Sequence, residues 1–341
     1  MRHEPKQTGF SLLEVVIVAT LLGLLMHVVI TLAASGSDAQ CYGRRLNRVT
    51  EINQDVLDDI RLDLASSVSL FGRDAISQAC YARIDFAGWP LPLNNAQLPR
   101  VADIDDFQPD ASNPTGSKTG NMLFFAQRAW VDKFRCTSGN HYMTDVYQWT
   151  LYYLTRENQD FTEPIGINLV HWASEPMADA GQVIAIASST DRTEVLQHLR
   201  DGSADEDGEL REPMQLIWTR GQSPSVSGTF QQIDPVTASL STVAISPRVD
   251  PFRIQAYRPL TRQGLLTLRN HSIATVYALP QPALYGALNK TGNGFPHGFE
   301  IQVIGPNAAR QVLVRSTLIS SNSHGLRARS TMQSVIDCRD L

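Results

Sequence analysis

Residues 8–34 read TGFSLLEVVIVATLLGLLMHVVITLAA. From Phe10 to Ala34 the polar residues are Ser11, Glu14, Thr20, His27 and Thr31, and Gly23 is the single helix-weakening residue. As a helix this stretch is roughly 37 Å long, enough to cross the hydrocarbon core of a bilayer. Arg2 and Lys6 put the leader on the cytoplasmic side under the positive-inside rule, although Arg44, Arg45 and Arg48 beyond the span balance that count. A secretory signal has a shorter apolar core with a small-residue cleavage site after it; here the small residue, Gly9, comes before the core. Glu14 is the anomaly. A charge inside a membrane costs about 2.5–3.5 kcal/mol on insertion scales, so the carboxylate needs a partner.

A cut between Gly9 and Phe10 supplies one. It creates a positive α-amine four residues before Glu14. That pairing is cramped on one helix and natural between staggered helices of neighbouring subunits, where each charge neutralises the other away from water. The bland alternative is a glutamate tolerated near the end of a plain anchor. Gly9, the aromatic Phe10, Ser11-Leu12-Leu13 and Glu14, in that order, resemble the class III signal of type IV prepilins and type II secretion pseudopilins.

The resemblance implies that a membrane aspartyl peptidase removes residues 1–9 and methylates the Phe10 amine. It implies that Glu14 acts in assembly and that N-terminal helices form the core of a helical filament. Other pilins or pseudopilins, the prepilin peptidase, the inner-membrane assembly platform and membrane lipid are the implied partners. The implied location is the bacterial inner membrane, crossed once with the head in the periplasm, and then a pilus or pseudopilus. Gly23 matches a common glycine of that family, whereas Thr31 stands where major pilins often carry proline.

Beyond the span, Leu46, Val49, Ile52, Val56, Ile60, Leu64 and Val68 recur at steps of three or four. This spacing predicts one amphipathic helix running from Phe10 to Phe71 and stopping at Gly72. The chain therefore divides into a leader at 1–9, a membrane or filament-core helix at 10–34, its amphipathic continuation at 35–72, and a head at 73–341. Arg44, Arg45 and Arg48 form a basic collar on the continuation; Glu51, Asp55, Asp58, Asp59 and Asp63 form an acidic one. The collars are centred roughly 18 Å apart along a helix, which suits charge contacts between staggered subunits and equally suits a solvated face.

The head reads mainly as strands. In DVYQWTLYYL (Asp145–Leu154) Tyr147, Trp149, Leu151 and Tyr153 fall on one face. NMLFFAQRAWV, QVIAIAS, MQLIWT, FRIQAYR, GLLTLRN, SIATVYAL, FEIQVIG and RQVLVRSTLIS are further candidates, separated by Pro, Gly, Asn and Ser. A short helix is expected over Asp191–Arg200, capped by Asp191 with Glu194 and ended by Gly202. The expected class is α+β: a long N-terminal helix packed on a mainly antiparallel, β-rich head. A head of this size fits the large minor pilins of the PilW type or the J-type (GspJ-like) pseudopilins better than a major pilin.

No enzyme is expected. There is no HExxH, no GxSxG and no ligand spacing among the eight histidines, and GSKTG (Gly116–Gly120) lacks the Gly-Lys pair of a phosphate loop. No cofactor or structural metal is expected, although Asp205 and Asp207, before Gly208, make a weak calcium candidate. The net charge of −5 gives no attraction to nucleic acid. Four cysteines, none in a CxxC pair, allow three connectivities; Cys80 with Cys136 and Cys41 with Cys338 is one of them. A tip adhesin or substrate-docking module on the same anchor is the alternative function.

Overall fold

The computed structural model describes residues 11–86, 91–94, 96–102, 119–155, 167–242, 254–259, 271–273, 298–306, 309–321 and 327–338. Residues 1–48 and 49–341 form two compact units. Helix α1 (Leu12–Ala65) contributes residues to both. In the first unit its apolar side chains are exposed from Leu12 to Leu32, and the helix is long and apolar enough to cross a membrane.

In the second unit α1 becomes amphipathic. Val49, Ile52, Val56, Leu57, Ile60 and Leu64 are buried, each burial contributing roughly 1.5–3 kcal/mol. The helix ends six residues earlier than its periodicity predicts. Ser66, Ser67 and Ser69 compete for backbone hydrogen bonds and Val68 is β-branched, so this run favours strand over helix. Ser66 Oγ donates to Asp63 O at 2.9 Å and closes the last turn. The chain then enters β1 (Ser67–Phe71). Gly72 is thus the end of a strand, not a helix stop.

The remaining helices are short: α2 (Ala75–Tyr81), α3 (Ala180–Ile184) and α4 (Ser189–Asp201). Among the described residues the strands form two sheets. The nine-stranded sheet contains β1, β3 (Leu123–Arg135), β4 (His141–Thr155), β5 (Asn168–Ser174), β6 (Met177–Asp179), β7 (Leu216–Trp218), β8 (Phe230–Ile233), β9 (Leu240–Thr242) and β10 (Ile254–Pro259). The five-stranded sheet contains β2 (Val101–Ala102), β11 (His271–Ile273), β12 (Phe299–Ile304), β13 (Arg310–Ser321) and β14 (Arg327–Cys338). Pairing is antiparallel except at β6–β7 and β2–β12. The α+β expectation holds: a long apolar helix and a mainly antiparallel, β-rich head.

The β3–β4 hairpin is the spine of the larger sheet, in register from Leu123↔Tyr152 to Arg135↔His141 with one shift between Arg128 and Trp130. Gly139 turns it at φ +88°, a left-handed conformation that favours glycine. The alternation in β4 is real, but both faces are covered. Tyr147, Trp149, Leu151 and Tyr153 enter an aromatic core with Trp172, Trp218 and Phe230. Tyr152 and Leu154 enter the core that α1 shares with β12 and β13. A third core lies between the hairpin tip, α3, α4, β7 and β8.

Two polar contacts fix α1 on the sheets. Buried Asn53 donates its Nδ2 to Ser316 O and Ser330 O, both at 3.3 Å. Asp63 accepts from Tyr152 Oη at 2.5 Å and lies 3.2 Å from His171 Nε2. Gly120, three residues before β3, exchanges backbone hydrogen bonds with Ile301 of β12, both 2.8 Å. A Cβ there would lie 2.4 Å from Gln97 O and 2.6 Å from Leu98 C. Gly120→Ala is therefore expected to destabilise the head by about 1–3 kcal/mol through backbone displacement, read as a lower denaturant midpoint with an unchanged slope.

Three local expectations change. QVIAIAS is not a strand: Asp179 Oδ1 accepts from Gln182 N at 2.8 Å and starts α3 there. The cap of α4 is Ser188, whose Oγ accepts from Asp191 N at 3.2 Å, so Asp191 is inside the helix. Glu194 instead accepts from Thr137 N and Oγ1 at 2.7 and 3.1 Å, tying α4 to the hairpin tip. Gly202 does end α4, at φ 61°. GLLTLRN, most of SIATVYAL and most of the GSKTG stretch lie outside the described residues.

Candidate assembly site

The first helical turn holds a reciprocal cap. Ser11 N donates to Glu14 Oε2 at 2.9 Å, Ser11 Oγ donates to the same oxygen at 3.2 Å, and Glu14 N donates to Ser11 Oγ at 3.3 Å. This is a capping box: a serine at the N-cap and an acid three residues on, each satisfying the other's amide. The sequence signal for this local role is the Ser-x-x-Glu pattern of residues 11–14. Gly9 and Phe10, the expected processing residues, lie outside the described residues.

A carboxylate has about four acceptor positions over two oxygens. The box uses Oε2, and among the described residues Oε1 makes no hydrogen bond. Glu14 can therefore hold its own helix start and still accept an ammonium. Removing the serine hydroxyl separates these roles. Ser11→Ala is expected to weaken the start of α1 by about 1 kcal/mol, seen as roughly fivefold faster amide exchange at Glu14 in the full chain.

The charged collars are only partly open to partners. Asp58 pairs with Arg61 at 2.9 Å one turn away, and Asp63 faces Tyr152 and His171. Asp55 is exposed and Asp59 half-buried on the second unit's stretch of α1; Arg44 is exposed, and Arg45 and Arg48 are half-buried on the first. Asp59, Arg48 and Glu51 each have an interaction within the chain.

The calcium candidate is a closed turn. Asp205 Oδ1 accepts from Glu209 N at 2.9 Å, and its Oδ2 accepts from Arg211 Nη2 at 2.8 Å. Burial works to raise its pKa, but the Glu209 amide and the Arg211 guanidinium outweigh it and hold the carboxyl below its usual range. Asp207 meets Lys133 Nζ at 2.6 Å. Protein cations thus occupy the carboxylates that a calcium ion would need, and among the described residues no three His, Cys, Asp or Glu side chains gather to hold a metal.

The expected disulfides are not formed: all four cysteines are free. Cys80 is buried in the aromatic core and Cys136 in the core beneath α4, so they occupy separate interiors. Burial pushes their thiols up to about 12 and about 11 respectively, which leaves little reactive thiolate. Cys41 is exposed on α1, and Cys338 is buried at the end of β14.

A family profile described as the prokaryotic N-terminal methylation motif matches residues 5–30. The N-terminus is a class III prepilin signal. The motif is that of prepilin-like proteins, which are processed at the N-terminus and assemble with other pilins, and its family is structural rather than catalytic. The long exposed apolar helix that carries the prepilin signal is consistent with single-pass anchoring. No curated protein and no solved structure matches the chain.

Proposed function

We propose that the chain is a low-copy subunit, a minor pilin or pseudopilin, built into or priming a type IV pilus or a type II secretion pseudopilus. Residues 1–9 are the leader, cut between Gly9 and Phe10, and residues 10–34 are the span. The later part of α1 anchors a periplasmic head. Glu14 receives the Phe10 amine of another subunit. The prepilin peptidase and the inner-membrane assembly platform act on the chain before it enters the filament.

The observation that carries this reading is the coincidence, within residues 5–30, of the methylation motif with an exposed apolar stretch of α1, residues 12–30, in which Glu14 is the one acid. The size of the head, residues 73–341, supports the low-copy role, since it resembles a large minor pilin or J-type pseudopilin more than a major pilin. The test is the mass of the N-terminal peptide from protein assembled in the native host. A peptide beginning at methylated Phe10 supports the reading, and one still carrying residues 1–9 removes it. Arg44, Arg45 and Arg48 with Asp55, Asp58 and Asp59 are the proposed inter-subunit charges. Reversing Arg44 and Arg45 to Glu is expected to lower incorporation, and unchanged incorporation would assign them to solvent.

A further inference from the structure

Five polar side chains interrupt the apolar span, and four are satisfied by the helix that carries them. Ser11 and Glu14 cap each other. Thr20 Oγ1 donates to Val16 O and Ile17 O at 3.0 and 2.9 Å, and Thr31 Oγ1 donates to His27 O at 2.8 Å. The His27 imidazole, exposed on the helix, is the exception: among the described residues it meets no polar group. One turn earlier on the same face, Gly23 has open space where a side chain would begin.

Neutral imidazole has one N–H and one ring lone pair, and hydrocarbon satisfies neither. The ring is too short to escape. His27 lies seven residues from Ala34, roughly 10 Å along the helix, whereas reaching the interface from such depth is the habit of long lysine and arginine side chains. The partner must therefore come from protein. Gly23 lets a second backbone approach closely, as small residues do at membrane helix contacts. One turn on, that backbone brings carbonyl or hydroxyl acceptors within reach of the ring.

We propose that Gly23 and His27 form a docking contact in which the His27 imidazole hydrogen-bonds the N-terminal helix of a neighbouring pilin-type subunit. The occupant follows from continuity: Gly23 and His27 lie inside the stretch matched by the methylation motif, on the same helix as Glu14. The proposal rests on the pilin reading and adds to it a polar contact on the span, roughly 20 Å along the helix from Glu14.

The test places a photo-crosslinking amino acid in the full chain, in native-host membranes, at Ile30 on the His27 side or at Leu25 on the far side. Ile30 is expected to give an adduct whose second chain carries a prepilin-type N-terminal peptide by mass spectrometry, and Leu25 far less. His27→Leu is expected to cut the Ile30 adduct about three- to tenfold, the range of interhelical hydrogen bonds in membranes. His27→Gln, which keeps a donor and an acceptor, retains most of it. Leucine makes the span more apolar, so loss of the adduct is not loss of insertion. An Ile30 adduct that is unchanged in His27→Leu, equal adducts from both positions, or no protein adduct overturns the proposal. The N-terminal mass is read in parallel: a processed chain with a His27-independent adduct overturns this contact alone, whereas a retained leader overturns the pilin reading.

Discussion

Glu14→Ala is expected to abolish incorporation of the subunit while the head stays folded and the leader is still cut. Glu14 lies outside the compact unit formed by residues 49–341 and its described hydrogen bonds go to Ser11, so the variant leaves the contacts of the head in place. Under the proposed function the variant leaves the Phe10 amine of another subunit buried with no counter-charge. Losing one member of a buried ion pair costs about 3–5 kcal/mol, or roughly two to four orders of magnitude in association. Alanine also removes the cap to Ser11 N, so it confounds two roles. Glu14→Gln separates them, because glutamine also serves in a capping box but carries no charge. Incorporation lost in both variants assigns the effect to charge. Normal incorporation of Glu14→Gln would mean that the acid is chiefly a helix cap and would sink the electrostatic account.

Glu300→Gln is expected to stabilise the head at pH 8 and to flatten its stability between about pH 4.5 and 7. Glu300 lies on β12 with its side chain 2% exposed, and its ion pair with Arg315 Nη1 is long at 3.4 Å. Burial raises its pKa from 4.5 to about 7, and Arg315 only partly opposes this. The sign follows from proton counting. Between those two values the folded chain holds a proton that the unfolded chain has released, so stability falls as pH rises. Above about pH 7 the loss is complete, on the order of 3 kcal/mol. Glutamine keeps the shape and removes the titration. Denaturant midpoints at pH 5 and pH 8 check it; a wild-type midpoint unaffected by pH across this window would show that Arg315 already neutralises the acid.

The N-terminal helix was legible because its signals are local and dense: an unbroken apolar run, then apolar steps of three and four. Long strands with large apolar residues, such as β3, β4 and β13, were legible for the same reason. β14 was not, because RARSTMQSVIDC is polar on its exposed side and its partner β13 supplies the hydrogen bonds that define it. Val68 shows the limit of periodicity. It continues the helical spacing, yet serine chemistry and pairing with β3 place it in a strand. The acidic loop misled for a related reason. Its spacing suggested a cation site, but Lys133 comes from a distant strand and Arg211 from the loop's own end, and no spacing rule counts either.

The box formed by Ser11 and Glu14 has a consequence for the order of events in the life of the chain. Every hydrogen bond described at the start of α1 is made by residues from Ser11 onward. Under the proposed function, cutting off residues 1–9 takes none of these bonds away. Trimming then adds a positive amine beside a cap that is already formed. On that reading a newly inserted precursor has its ratchet tooth cut in advance, and the protease decides when it can engage.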